Sequence, residues 1–132
     1  MVETDNIKDM YKFKTPALRN VTLTAPYGHN GAYPTLKAII KHHLNPIKMN
    51  KNWKPKYANL PNAPWLEKID FVTFSDKREQ DRIILSIDIQ PVELNEKEID
   101  YLVSFLETLT GKTGNQRPLG KPGKVPSGLS ID

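Results

Sequence analysis

Proline and glycine interrupt this chain so often that only two stretches can hold a long regular helix. Between residues 11 and 34 stand Pro16, Pro26, Gly28, Gly31 and Pro34; between 44 and 80 stand Pro46, Pro55, Pro61 and Pro64. Proline removes a backbone donor and fixes φ, and both residues punctuate helices and strands. With 11 prolines and 38% hydrophobic residues in 132, the chain reads as one modest domain of few elements and long loops. The fold class expected is mainly α and loop-rich.

The first helical stretch is 35–43. Thr35 is a natural N-cap, and Leu36, Ile39, Ile40 and His43 recur at i, i+3, i+4 and i+7. This stripe puts His43 on the apolar face and His42 about 100° away from it. Asn45–Pro46 ends the helix. The second stretch is 95–110. Asn95 and Glu98 form an N-x-x-E capping signal, Ile99, Leu102, Val103, Leu106 and Leu109 mark one face, and Gly111 is the stop.

Elsewhere the pattern is thinner. Residues 1–10 are a polar lead-in, 11–34 an irregular loop, and 44–80 a second loop region that Trp53 and Trp65 would pin to the body. In IILSIDI at 83–89, Ile83, Leu85, Ile87 and Ile89 alternate, which predicts a strand, although so short a run also yields to tertiary context as an extended or helical piece. Residues 112–132, rich in Gly, Pro and Lys, are expected to form an extended tail. The whole of 1–132 is expected to be a single domain.

Charge excludes little. The net charge of +4 suits an acidic partner protein or an anionic group. No helix gathers the cations and no aromatic-basic motif is present, so no nucleic-acid partner is expected. The lysines at 48–56 and 112–124 read as solvated loops. No run reaches membrane-spanning length, and the first residues lack the apolar core of an export signal.

Three side chains stand out. His43 has the chemistry of a haem-iron ligand, and its stripe points it towards an apolar pocket. The residues alone leave open a second reading, a buried histidine bonded to a carbonyl. His29 lies in Y-G-H-N-G, where flanking glycines permit a tight turn near a ligand. The residues alone favour the other reading, a self-stabilised turn with Asn30 in the left-handed conformation. Arg19 can fork onto a carboxylate such as a haem propionate, or make a structural ion pair. No metal-ligand spacing, phosphate loop or nucleophile elbow is present. There is also no cysteine, so the chain has no C-x-x-C-H and cannot attach haem covalently.

Several ordered blocks resemble the C-terminal haem domain of the bacterial di-haem cytochrome c peroxidase family, including its MauG-type members. They are F-K-T-P-A-L-R-N at 13–20, L-T-A-P-Y-G-H-N-G at 23–31 and T-L-K-A-I-I-K-H-H at 35–43. Further on come E-I-D-Y-L-V-S-F-L-E-T-L-T-G at 98–111 and V-P-S-G-L-S-I-D at 125–132. The resemblance implies a partial cytochrome c-like domain and the distal side of an electron-transfer haem c in a protein that reduces hydrogen peroxide. His43 would be the axial iron ligand, where family members often carry Met or Tyr, with His29 and Arg19 at the haem edge. It also implies a calcium ion held in part by the backbone carbonyls of Thr24 and Pro26.

The chain departs from the family pattern at Asn30, where an acid is usual, and at Gly28, where a bulkier residue is common. The family's C-x-x-C-H and its peroxide-binding haem lie upstream of these blocks, and the 132 residues contain neither. The expectation is therefore a fragment, inactive alone. Its partners would be the missing N-terminal haem domain and a small electron-donor protein, and its compartment the periplasm. The alternative is a haem-free interaction module built on the same fold, whose basic loops meet an acidic partner.

Overall fold

A computed structural model describes residues 9–60 and 62–112. Among the described residues five α-helices carry the architecture: α1 Leu36–Leu44, α2 Pro46–Asn52, α3 Val72–Ser75, α4 Lys77–Leu85 and α5 Glu96–Thr108. Two short 3₁₀ turns, Val21–Leu23 and Pro55–Tyr57, lie in the connecting loops. Among the described residues the only β pairing is the isolated bridge between Tyr27 and Tyr33. The molecule is mainly α and loop-rich, as expected.

The two predicted helices form for the predicted reasons. The Thr35 hydroxyl accepts from the Ala38 N–H and starts α1. Asn95 accepts from the Lys97 and Glu98 N–H groups while the Glu98 carboxylate accepts from the Asn95 N–H, a complete capping box that starts α5. Ile99 is the most buried apolar side chain, at 3% exposure, and Val103, Leu106 and Leu109 are half-buried beside it.

Two expectations fail. Ile83, Ile84 and Leu85 are helical, not extended, because α4 starts upstream of the alternating run. The Asp76 carboxylate caps it by accepting from the N–H groups of Arg78 and Glu79. Gln80, Ile83, Ile84 and Ile87 then turn inward at helical spacing, and Leu85 is left 85% exposed. The region 44–80 is also less irregular than expected. Asn45 ends α1 and at the same time caps α2, its side chain accepting from the Lys48 N–H, with Pro46 at the first helical position, where its missing N–H costs nothing. The extended tail expected at 112–132 lies, apart from Lys112, outside the described residues, as does most of the polar lead-in.

Helix α1 packs on α2 and α5, α3 packs on α4, and the Val21–Leu23 turn packs on α5. Ion pairs from Lys37 to Glu96 and Asp100, and from Lys41 to Glu96, line the α1–α5 junction. The Val92 N–H donates to the Leu44 carbonyl at 2.9 Å and ties the segment before α5 to the end of α1. At the other end of α5, Asn20 acts as a clasp: its N–H donates to the Leu109 carbonyl and its Oδ1 accepts from the Gly111 N–H. Trp53 pins the second loop as expected, through Nε1–H to the Ala32 carbonyl at 2.9 Å and through ring contacts with Phe71 and Phe74. Trp65 does not pin it; it is 78% exposed.

Candidate functional site

The last turn of α1 presents two adjacent imidazoles, and the loop 25–34 decides what each one does. That loop folds back on itself: the Tyr27 and Tyr33 backbones exchange N–H···O bonds of 2.7 and 3.1 Å. Gly28 (φ 82) and Gly31 (φ 67) supply the left-handed positions of the turn. Asn30, expected to be left-handed, is not. Its side chain instead accepts from the Ala32 N–H, so the two glycines carry the turn and Asn30 braces it.

The closed loop carries Tyr33 onto α1. Its hydroxyl lies 2.8 Å from His42 Nδ1, with the two rings tilted at 5.1 Å. Burial lowers the His42 pKa, and the neighbouring His43 lowers it further, so the neutral imidazole is favoured. Burial also raises the Tyr33 and Tyr27 phenols. A neutral imidazole against a protonated phenol is a stable hydrogen-bonded pair.

His43 is different. It is exposed, its ring sits 5.7 Å from that of His42, and its nitrogens make no hydrogen bond among the described residues. The helical stripe predicts His43 on the packed side and His42 off it; the structure makes His42 the more buried of the two. The stripe argument assumes one packed face, whereas α1 meets α2, α5 and Tyr33 on different sides. The consequence for chemistry is clear. The Tyr33 hydroxyl engages Nδ1 of His42, whereas both ring nitrogens of His43 are without a hydrogen bond among the described residues, and an unbonded nitrogen lone pair is what a metal ligand uses.

His29 sits at the exposed tip of the closed loop, stacked on Phe13 at 4.1 Å and 18°. Arg19 is exposed, forms no hydrogen bond or ion pair among the described residues, and precedes the Asn20 clasp. The carbonyls of Thr24 and Pro26 accept no hydrogen bond among the described residues, and the Ala25–Pro26 peptide between them is cis. No group of three His, Cys, Asp or Glu side chains gathers to hold a metal among the described residues. No helix among them is long and apolar enough to cross a membrane. His43, His29 and Arg19 do not touch one another in the contacts described; each is an exposed donor on its own segment.

The pair His42–Tyr33 was not legible as a pair. The signal that carries it is the spacing of Tyr27 and Tyr33 around two glycines, which closes the loop and aims Tyr33 at the next helix.

These features define a mainly α, loop-rich chain with a free imidazole at a helix end. Its curated relatives are named as MauG proteins and cytochrome c peroxidases. The chain is 32% identical to the methylamine utilization protein MauG of Paracoccus denitrificans over 102 residues, which is 76% of this chain and 23% of that protein. It is 29% identical to MauG of Methylorubrum extorquens over 99 residues, 75% of this chain and 19% of that protein. A shorter match, 50% identical over 38 residues, links it to the cytochrome c peroxidase Ccp of Escherichia coli, covering 29% of this chain and 8% of that protein. The chain therefore spans about a fifth of the length of the MauG proteins it matches. No family model matches it, and no solved structure matches it. By its sequence relationship the chain belongs with the di-haem cytochrome c peroxidases and MauG proteins.

Proposed function

We propose that this chain is the C-terminal portion of a di-haem cytochrome c peroxidase-like protein and contributes the distal side of an electron-transfer haem c site for peroxide reduction. The observation that carries the reading is His43: a solvent-accessible imidazole with no hydrogen-bond partner among the described residues, at the end of a helix whose sequence block resembles the family's. Its donor chemistry fits an axial ligand to haem iron. Haem would supply the one-electron chemistry of the site. The chain's own residues would orient and enclose it. His43 is the more exposed of the two imidazoles and has both nitrogens unbonded among the described residues, which makes it the preferred donor over His42; Arg19 and His29 offer cationic or hydrogen-bonding contacts to propionates at the edge.

In this reading the chain is one partial cytochrome c-like domain and is inactive alone. It lacks the C-x-x-C-H that would supply the thioether bonds and the proximal ligand. Its partners are the N-terminal haem domain and a small electron-donor protein, in the periplasm. A calcium ion at the domain junction would use the unbonded carbonyls of Thr24 and Pro26. The alternative, a haem-free interaction module, draws support from the exposed lysines of 48–56.

The test is spectroscopic. The chain is mixed with ferric haem and no added imidazole, and the haem that stays with the chain on gel filtration is examined by absorption and electron paramagnetic resonance for a histidine ligand. That signature is expected in the wild type, lost in His43→Ala and kept in His29→Ala. Equal spectra from the wild type and His43→Ala, or no haem uptake by either, would sink the assignment.

A further inference from the structure

Beside the histidines, α1, α2 and the Pro55–Tyr57 turn enclose an apolar pocket of about 190 Å³, whose walls include Tyr33, Ala38, Met49, Trp53 and Tyr57. A cavity of roughly 150 Å³ holds a benzene ring, so this one has room for a single aromatic or branched aliphatic side chain. Met49, Asn52 and Trp53 bring the pocket face of α2 together at helical spacing, and Lys48 flanks that face about 90° away. Lys54 and Lys56 follow directly, and the Lys56 ammonium sits 5.4 Å from the ring centre of the wall residue Tyr57.

These lysines carry charge unpaired among the described residues, as do the scattered Lys14, Lys68, Lys97 and Lys112, but Lys48, Lys51, Lys54 and Lys56 fall within nine residues of one another. Lys12, Lys37, Lys41 and Lys77 each pair with a carboxylate. Lys48, Lys51, Lys54 and Lys56 are all exposed, and none pairs with a carboxylate among the described residues. From Met10 to Leu66 the sequence holds nine Lys and Arg residues and no Asp or Glu; Lys12, Lys37 and Lys41 find carboxylates further along the chain, and Lys48, Lys51, Lys54 and Lys56 do not among the described residues. Lys48, Lys54 and Lys56, each adjacent in sequence to a wall residue, leave unpaired positive charge at the edge of a pocket sized for one apolar anchor.

We propose that this pocket and its lysine rim form a docking site for an acidic protein segment, with one aromatic or branched aliphatic side chain seated in the pocket and flanking carboxylates on Lys48, Lys54 and Lys56. An apolar anchor inside a charged rim is the arrangement by which a few residues carry most of an interface's energy while the rim selects the partner and speeds encounter. The site uses neither His43 nor haem, so it stands or falls separately from the haem assignment.

The full chain, labelled with ¹⁵N and free of haem, is titrated with the capped peptide Glu-Asp-Phe-Asp-Glu. The expected result is amide shifts concentrated in 33–38 and 49–57, with binding that weakens as salt is raised. Replacing the peptide's Phe by Ala, or combining Lys54→Glu with Lys56→Glu in the chain, should each weaken binding at least tenfold. Both lysines are exposed, so the double variant should keep the wild-type circular dichroism spectrum. Filling the pocket with Ala38→Leu should act like the peptide's Phe-to-Ala change. Several results would overturn the proposal: equal affinity for the Phe and Ala peptides, shifts centred elsewhere, or tighter binding of an RNA oligonucleotide or a phosphatidylserine vesicle. Self-association of the chain that buries the pocket and excludes the peptide would also overturn it, because a second copy would then be the occupant.

Discussion

Asn20 joins the first loop to the end of α5, and its substitution separates two energies that act at one residue. Its backbone is left-handed at φ 61. Its Oδ1 accepts from the Gly111 N–H at 2.7 Å, its N–H donates to the Leu109 carbonyl at 3.2 Å, and its own carbonyl accepts from the Leu23 N–H at 2.9 Å. Asn20→Ala keeps the backbone bonds but removes the side-chain acceptor. That leaves a half-buried N–H unpaired, at about 1.5 kcal/mol. It also places a Cβ-bearing residue with no compensating polar group in the left-handed region, at roughly 1 kcal/mol more. The expected loss is about 2.5 kcal/mol. Asn20→Gly loses the acceptor and avoids the steric cost, so it should lose about 1.5 kcal/mol, plus a few tenths for the freer unfolded chain. Asn20→Asp keeps the acceptor oxygen and should lose about 0.5 kcal/mol or less. At about 4 °C per kcal/mol for a domain of this size, the Ala variant should melt roughly 10 °C lower and the Gly variant about 6–7 °C lower. Thermal and urea denaturation followed at 222 nm measure all three. Equal losses for Ala and Gly would remove the conformational cost, and an Asp variant as unstable as Ala would remove the hydrogen bond.

Tyr33→Phe deletes the hydroxyl that engages His42 and should cost about 1–2 kcal/mol in urea denaturation; a double-mutant cycle with His42→Ala should return a coupling near 1 kcal/mol. The two tryptophans should behave oppositely. Trp65→Phe should change stability by less than about 0.5 kcal/mol, while Trp53→Phe loses the bond to the Ala32 carbonyl and should cost about 1 kcal/mol. Trp65→Phe should also shift the fluorescence emission to the blue by removing the more exposed indole. Lys41 and Lys37 hold the Glu96 carboxyl below its ordinary value of 4.5. A folded pKa below the unfolded one stabilises the protein above that unfolded value, and the contribution is lost as pH falls through the folded pKa. Stability should therefore decline with acid below about pH 4.5, more gently in Glu96→Gln, and an unchanged slope in that variant would remove Glu96 from the account.

Helix α5 was legible because every signal agreed: an Asn-x-x-Glu cap, apolar residues on one stripe, and a glycine beyond the end. Helix α4 was not. Its cap, Asp76, lies seven residues before the run that catches the eye, and Ile83 and Ile87 satisfy a period of two as well as one of 3.6. Pro46 was read as a stop when it is also a start, because the same Asn45 serves two helices. The histidines show a different limit. A stripe ranks residues by distance from one assumed face, yet the half-burial of His42 comes from a hydroxyl nine residues earlier, delivered by a loop whose closure depends on Gly28 and Gly31. Long-range pairing of that kind leaves no periodic trace.

The thin core bears on whether the chain works as a free-standing unit. Among the described residues Tyr27, Tyr33 and Ile99, with Pro46, are the buried apolar side chains, while sixteen large apolar side chains are exposed. On α5 the exposure is organised. Ile99, Val103 and Leu106 face one way; Tyr101 and Phe105, 64% and 57% exposed, form a second stripe with Leu102, which was expected on the first face and is 38% exposed, centred about 120° around the helix. Burying a large apolar side chain contributes about 1.5–3 kcal/mol, so covering this second stripe is worth several kcal/mol, a large share of the stability of a small domain. A polar stripe would serve a solitary soluble domain better and would carry less risk of association. An apolar one fits a chain that spans about a fifth of the MauG proteins it matches and, in the haem reading, meets both a porphyrin and another domain. The same surface predicts that the isolated chain associates at high concentration, and that Tyr101→Glu with Phe105→Glu keeps it monomeric at little cost to its melting temperature. A large fall in melting temperature in that variant, measured beside sedimentation velocity, would show that the stripe is already packed within the chain and would withdraw the argument.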